Sequence, residues 1–149
     1  MNIRSATQND LPILVEFQMD MAQETEGMVL DRNVLTAGMQ AVMTDNSKGQ
    51  YLVAEIDGAV AGSLLLTYEW SDWRNGTVLW IQSVFVNKKF RGKGVYKTLY
   101  AHVKSMVIHS IDLKGIRLYV DKTNTNAQKV YEALGMNGEH YQMFEAMDL

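Results

Sequence analysis

Val84-Phe85-Val86-Asn87-Lys88-Lys89-Phe90-Arg91-Gly92-Lys93-Gly94-Val95-Tyr96 is the stretch on which the fold turns. An apolar run rich in strand formers ends at Val86, and two glycines follow. Val95, Leu99, Val103, Met106 and Val107 then recur on one face of a helix expected over 93–111. A strand, a glycine turn and a helix start make an anion site. Glycine lets the backbone turn tightly and approach a ligand closely. The first N–H groups of the helix lack internal partners, and its dipole adds partial positive charge. Lys89, Arg91 and Lys93 add full charges, so a diphosphate is a sensible occupant. From the loop alone, a glycine-eased turn with solvated charges explains the residues equally well. The loop is not a Walker A sequence. It also misses the dinucleotide fingerprint, because Lys97 stands at the third glycine position.

Upstream, residues 2–6 read as an opening strand. Asn9 or Asp10 can cap a helix with Pro12 in its first turn, and Ile13, Phe17 and Met21 supply its face until Glu24-Thr25-Glu26-Gly27. Asp31 is a second cap, followed by Val34, Leu35, Gly38, Met39, Val42 and Met43 at helical spacing. The period then changes. Residues 50–56 and 59–69 are strands, and Asp57-Gly58 between them is a hairpin signal. Residues 70–76 read as a loop and 77–86 as a third strand. Downstream, Ile116–Val120 is a strand and residues 125–134 a helix, capped by Asn124 and ended by Gly135. Residues 140–147 are expected to be a final strand. Strand, long helix and strand around 78–120 form a crossover unit, so two neighbouring strands should be parallel and the rest antiparallel. The fold class is mixed α/β (α+β).

The chain has 149 residues, 47% hydrophobic and 21% charged, without low-complexity segments or repeats, and it is expected to form a single domain over 1–149. It contains no cysteine, which excludes disulfides and thiolate catalysis and suits a reducing cytoplasm. A net charge of −3 argues against a nucleic-acid partner. No apolar run approaches the ~20 residues of a membrane span, and the N-terminus lacks a signal-peptide pattern. His102, His109 and His140 show no metal-ligand spacing, so no metal is expected. The methionines fall mostly at core-like helical positions.

Lys89-Phe90-Arg91-Gly92-Lys93-Gly94 resembles motif A of the GNAT N-acetyltransferases, Arg/Gln-x-x-Gly-x-Gly/Ala, with Lys89 where Arg or Gln is usual. Asn124-Thr125-Asn126-Ala127-Gln128-Lys129-Val130-Tyr131-Glu132-Ala133-Leu134-Gly135-Met136 resembles motif B, Asn-x-x-Ala-x-x-x-Tyr-x-x-x-Gly-Phe, with Met136 in place of Phe. The two motifs lie in the family's order. The resemblance implies the family's fold, with a central, mostly antiparallel sheet, flanking helices, and fourth and fifth strands that splay apart for the cofactor. It implies acetyl-CoA as cosubstrate. The amides of Arg91, Gly92, Lys93, Gly94, Val95 and Tyr96 would bind the pyrophosphate, and Val84, Phe85 and Val86 would lie along the pantetheine arm. An amide near Val84 would face the thioester carbonyl as an oxyanion donor. From motif B, Asn124, Ala127 and Tyr131 would belong to the cofactor side. Homodimerisation, common in the family, is a further expectation.

Acetyl transfer to an amine needs a deprotonated amine (an alkylammonium has pKa ~10.4), a stabilised oxyanion and a proton for the departing thiolate. Tyr131 matches the family's general acid, while packing against Ala127 is its purely structural alternative. Related enzymes often carry a Glu on the strand before motif A, where this chain has Gln82. Gln82 cannot take a proton but can hold a water or substrate. Glu24, Glu26, Glu69 and Asp72 are the other acceptor-side candidates, with Glu69 a possible base. With Tyr68, Trp70 and Trp73 they would form an acidic, aromatic pocket for a small cationic amine. The motif A region and the Trp-rich strand also resemble diamine (polyamine) acetyltransferases. Two alternatives stand beside this reading: acetylation of a protein N-terminus or lysine, and a non-catalytic CoA-binding sensor.

Overall fold

The computed structural model describes residues 1–149. They fall into two compact units, Met1–Arg117 and Leu118–Leu149.

The first unit holds β1 (Asn2–Ser5), α1 (Leu11–Glu26), α2 (Arg32–Thr44), β2 (Gln50–Ile56), β3 (Ala59–Ser71), β4 (Gly76–Val86), α3 (Val95–Ile108) and β5 (Leu113–Arg117). The strands form one sheet in chain order. The first three pairings are antiparallel, and β4 pairs with β5 in parallel across the α3 crossover. This is the mixed architecture that the element order predicts.

The β2–β3 hairpin turns on Asp57 (φ 51°) and Gly58 (φ 79°), both left-handed, as a two-residue turn requires. The loop expected at 70–76 is narrower. β3 runs on to Ser71, which places Trp70 in the strand, and residues 72–75 alone make the turn. Asp31 caps α2 as predicted, accepting from the amides of Asn33 and Val34. Asp10 does not cap α1. Its carboxylate turns back to the Thr7 amide (2.6 Å) and to the Arg4 guanidinium (2.7 and 2.9 Å). Arg4 also reaches Glu55, which ties β1 to β2 and to the entry of α1.

Leu14, Val15, Phe17, Met39, Tyr51, Val53 and Phe85 form a core beneath α1 and α2, with the Phe17 and Phe85 rings 5.0 Å apart. The alternate strand positions Leu52, Ala54, Leu64 and Leu66 are buried on the opposite face, where α3 packs with Val95, Leu99 and Val103. A fully buried Leu such as Leu14 or Leu99 contributes about 2 kcal/mol by area. Gly62 on β3 makes the start of α3 possible. A Cβ there would lie 2.9 Å from both the Phe85 carbonyl oxygen and Val95 Cγ1.

In the second unit α4 spans Thr125–Ala133. The Asn124 side chain accepts from the Ala127 amide at 3.1 Å. At the other end Met136 N bonds Tyr131 O and Gly135 N bonds Glu132 O, with Gly135 at φ 89°, a Schellman termination. The strand expected at 116–120 is instead β5, ending at Arg117. The strand expected at 140–147 does not form. A strand exists only in a ladder, none of the five strands pairs with this segment, and residues 137–149 are exposed and irregular. No helix is long and apolar enough to cross a membrane.

Arg4 and the Thr7 amide hold the Asp10 carboxyl below the usual carboxylate range. The folded state therefore binds fewer protons than the unfolded chain in that window. The stabilisation is complete above the ordinary Asp value and is lost as pH falls through the folded one. Denaturation midpoints should fall between about pH 5 and pH 3, and less steeply in Asp10→Asn. Arg4→Met should cost on the order of 2 kcal/mol at neutral pH by urea unfolding, because it leaves a buried carboxylate half-satisfied. Gly62→Ala should cost about 1–3 kcal/mol by overpacking against backbone.

Candidate active site

β4 pairs with β5 only from Thr77 to Trp80, where Trp80 meets Arg117 and β5 ends. β4 continues to Val86, still paired with β3 on its other edge. Ile81–Val86 thus presents an edge that β5 leaves unpaired. A bulge interrupts this segment. Ser63 faces Phe85 and Leu65 faces Gln82, so Ser83 and Val84 together oppose Leu64. Ser83 takes φ 54°, a left-handed conformation uncommon for a residue with a side chain. The Ser83 carbonyl accepts from Gln18 Nε2 on α1 at 3.2 Å.

At Val86 the strand hands over to a single 3-10 turn, Lys88–Phe90, capped by the Asn87 side chain. Gly92 (φ 79°) and Gly94 (φ 76°) follow, and Gly94 caps α3 with no side chain to satisfy the first amides. A Cβ at either glycine would meet nothing within 4 Å, so the torsion, not the space, requires glycine. Thr98 is the first α3 amide to bond back, to Gly94 O at 3.0 Å. The amides of Gly92, Lys93 and Gly94 take no backbone acceptor, and with the helix dipole they present an anion-binding end suited to a pyrophosphate. The motif's charges are deployed differently from the sequence expectation. Arg91 donates to Val86 O (2.9 Å) and to Glu24 (2.9 Å) and lies over the Phe85 ring. Lys93 Nζ lies over Phe90. The amide of Arg91 makes a long bond to Lys88 O, 3.4 Å.

Glu24 also meets Lys88 at 3.3 Å. Arg91 first, and Lys88 after it, hold its carboxyl below the usual range. It fastens the end of α1 to the loop. Glu69 is likewise committed. Arg117 Nη1 reaches both its oxygens at 2.8 Å and Trp80 Nε1 donates at 2.8 Å, and these partners, Arg117 foremost, lower its pKa. Gln82 Nε2 donates to Thr67 Oγ1 at 2.6 Å. Thr67, Glu69, Trp80 and Gln82 therefore line one polar strip of β3 and β4, with Arg117 at its end. Glu26 is exposed on the last turn of α1, Asp72 binds the Trp73 amide in the turn, and Trp70 and Trp73 are 64% and 91% exposed. None of Glu26, Asp72, Trp70 and Trp73 lines the cavity of about 390 Å³ that takes in Tyr68 with Ser5, Ala6, Met43 and Tyr51. Glu24 and Glu69 are thus ion-paired rather than free acids.

In the second unit, burial pushes the Tyr131 phenol above its ordinary value. Asn124 and Gly135 of the second motif are the start and stop of α4, as described above. Sequence reasoning missed Gln18, Ser83, Thr67 and Arg117. Gln18 had a visible signal, an amide at i+4 from Leu14 and i−4 from Ala22 on a buried face. Arg117 had none, since its partner lies 48 residues away.

The model of the acetyltransferase (GNAT) family matches residues 15–136, and so spans both units. A comparison with curated proteins finds no match. Among solved structures, a possible acetyltransferase from Clostridium difficile 630 is 42% identical with a TM-score of 0.94, over 99% of this chain and 97% of that one. Two more distant structures share the fold. One is an aminoglycoside acetyltransferase from an uncultured soil metagenomic sample in complex with sisomicin (15% identity, TM-score 0.78, 99% and 95% coverage). The other is the ribosomal-protein-alanine N-acetyltransferase from Brucella melitensis biovar Abortus 2308 (14%, 0.79, 99% and 100%). With both motifs, a parallel β4–β5 pair that β4 outruns, and a family match over most of its length, the chain belongs to the acetyltransferase (GNAT) family.

Proposed function

We propose that residues 1–149 act as one acetyl-CoA-dependent N-acetyltransferase domain whose acceptor is the primary amine of a small cationic molecule. The observation that carries the cofactor side is the continuity of a strand edge that β5 leaves unpaired with a run of amides that take no backbone acceptor. The β4 edge over Ile81–Val86 leads directly into the amides of Gly92, Lys93 and Gly94. An extended pantetheine arm can pair with the first as a strand would, and the pyrophosphate suits the second. Arg91–Tyr96 would then hold the pyrophosphate, with Val84, Phe85 and Val86 along the arm.

In the reaction the amine nitrogen attacks the thioester carbon and the C–N bond forms. The carbonyl oxygen becomes an oxyanion held by the amide of Val84. The oxyanion collapses and the C–S bond breaks, Tyr131 gives its proton to the thiolate, and the tyrosinate regains one as the adduct nitrogen loses its remaining extra proton. A phenol raised by burial stays protonated through neutral pH, which supports a donor role. Glu69, held ionised by Arg117, is a weak base near neutrality, so we assign it to shaping the acceptor strip. The amine sheds its proton to water, which Gln82 can orient. The polar strip of Thr67, Glu69, Trp80 and Gln82, and the nearby Trp70 and Asp72, favour a small cation. Glu24 is proposed to act through Arg91, and Glu26 to add charge at the rim. Acetylation of a protein N-terminus is the alternative acceptor.

Free-thiol release should be measured with acetyl-CoA and a panel holding a diamine, a polyamine, an aminoglycoside and a peptide with N-terminal alanine. Turnover with the small amines is expected. Turnover with the peptide alone would replace the acceptor, and tight acetyl-CoA binding with no turnover at all would make the protein a sensor. Tyr131→Phe should lower kcat about 100-fold with the acetyl-CoA Kd unchanged and should remove the alkaline fall in rate. Gly94→Val should weaken acetyl-CoA at least about tenfold by calorimetry, since a β-branched residue resists the left-handed turn.

A further inference from the structure

Gln18 is the one amide buried in α1, 5% exposed among Leu14, Val15, Phe17 and Ala22. An apolar side chain would fill that position at less cost, because a polar group taken from water must recover a hydrogen bond. The bond it recovers is specific. Its partner is the carbonyl of Ser83, the left-handed residue of the β4 bulge. A carbonyl only accepts, so the amide nitrogen must face it. Ser83 C=O and Val84 N–H belong to the same peptide unit. That unit is planar and trans, so the two groups point in opposite directions from one rigid plate. Fixing the oxygen fixes where the N–H points. Donating to the oxygen also draws charge through the amide and makes the N–H a stronger donor.

We infer that Gln18 is a positioning residue for acetyl transfer, holding the Ser83–Val84 peptide so that the Val84 amide is aimed and polarised toward the developing oxyanion. The inference rests on the reading of that amide as the oxyanion donor. Gln18 itself touches no reacting atom. The bulge explains the need for it. Ser83 lacks glycine's freedom, and two residues opposing one leave the plate without the regular ladder that orients every other peptide of β4.

Gln18→Met keeps length and removes the donor. With acetyl-CoA and the fastest amine of the panel above, kcat should fall about tenfold or more while the KM for acetyl-CoA stays within about twofold. Gln18→Glu provides a second readout. Its carboxylate repels the Ser83 oxygen, whereas its protonated form can donate, so its rate relative to wild type should rise as pH is lowered toward about 5. An unchanged kcat in Gln18→Met, or a loss confined to acetyl-CoA KM, would overturn the inference. So would a flat pH ratio in Gln18→Glu, which also serves if the Met variant does not fold. Replacing Val84 by its α-hydroxy acid removes the N–H alone. If that ester variant keeps full kcat, the oxyanion reading fails. If it loses kcat while Gln18→Met does not, only the role of Gln18 fails.

Discussion

Past Trp80, β4 carries peptide groups on one edge that β5 does not pair. Buried or half-buried backbone polar groups must be satisfied, and a strand left open along Ile81–Val86 is costly unless something else completes it. The rest of the first unit is arranged around keeping that edge open. β3 pairs it firmly on the other side. Gly62 lets α3 start close against it, and α1 covers its Phe85 face. The extended, amide-bearing arm of the proposed cofactor would complete such an edge.

Electrostatics of the loop before α3 are quieter than the run Lys88-Lys89-Phe90-Arg91-Gly92-Lys93 suggests. Two of its cations meet Glu24, and a third lies over an aromatic ring. Their work is to brace the loop against the end of α1 and the last carbonyl of β4. The field that greets an anion then comes mainly from oriented amides, which cannot swing away as a lysine can.

Much of this was legible because local chemistry left a mark. Asp57-Gly58 announces a turn that only left-handed residues make. Asp31 and Asn124 announce helix starts, and Gly92 and Gly94 a torsion that other residues resist. Both motifs are written in such local terms. What was illegible is tertiary. No residue type at 83 betrays a left-handed bulge, since serine is not the usual occupant. Glu69 looks like a free acid until Arg117 arrives from another strand. Residues 140–147 read as a strand, but a local reading says nothing of whether a neighbouring strand is there to pair with. Asp10, reasonably read as a cap for α1, is claimed by an arginine from β1.

The glycines around the loop differ in kind, and the difference concerns handedness. At Gly62 the obstacle to a side chain is room, because backbone and Val95 stand 2.9 Å away. At Gly92 and Gly94 there is room, and the obstacle is chirality: φ near +76° to +79° is as natural for a D-amino acid as its mirror value is for an L-residue. A chemically made chain with D-alanine at those two places would hold the loop more rigidly than glycine does. The loop thus sets two mirror-image residues on either side of an ordinary Lys93, and ribosomal synthesis leaves glycine as the residue best able to write them.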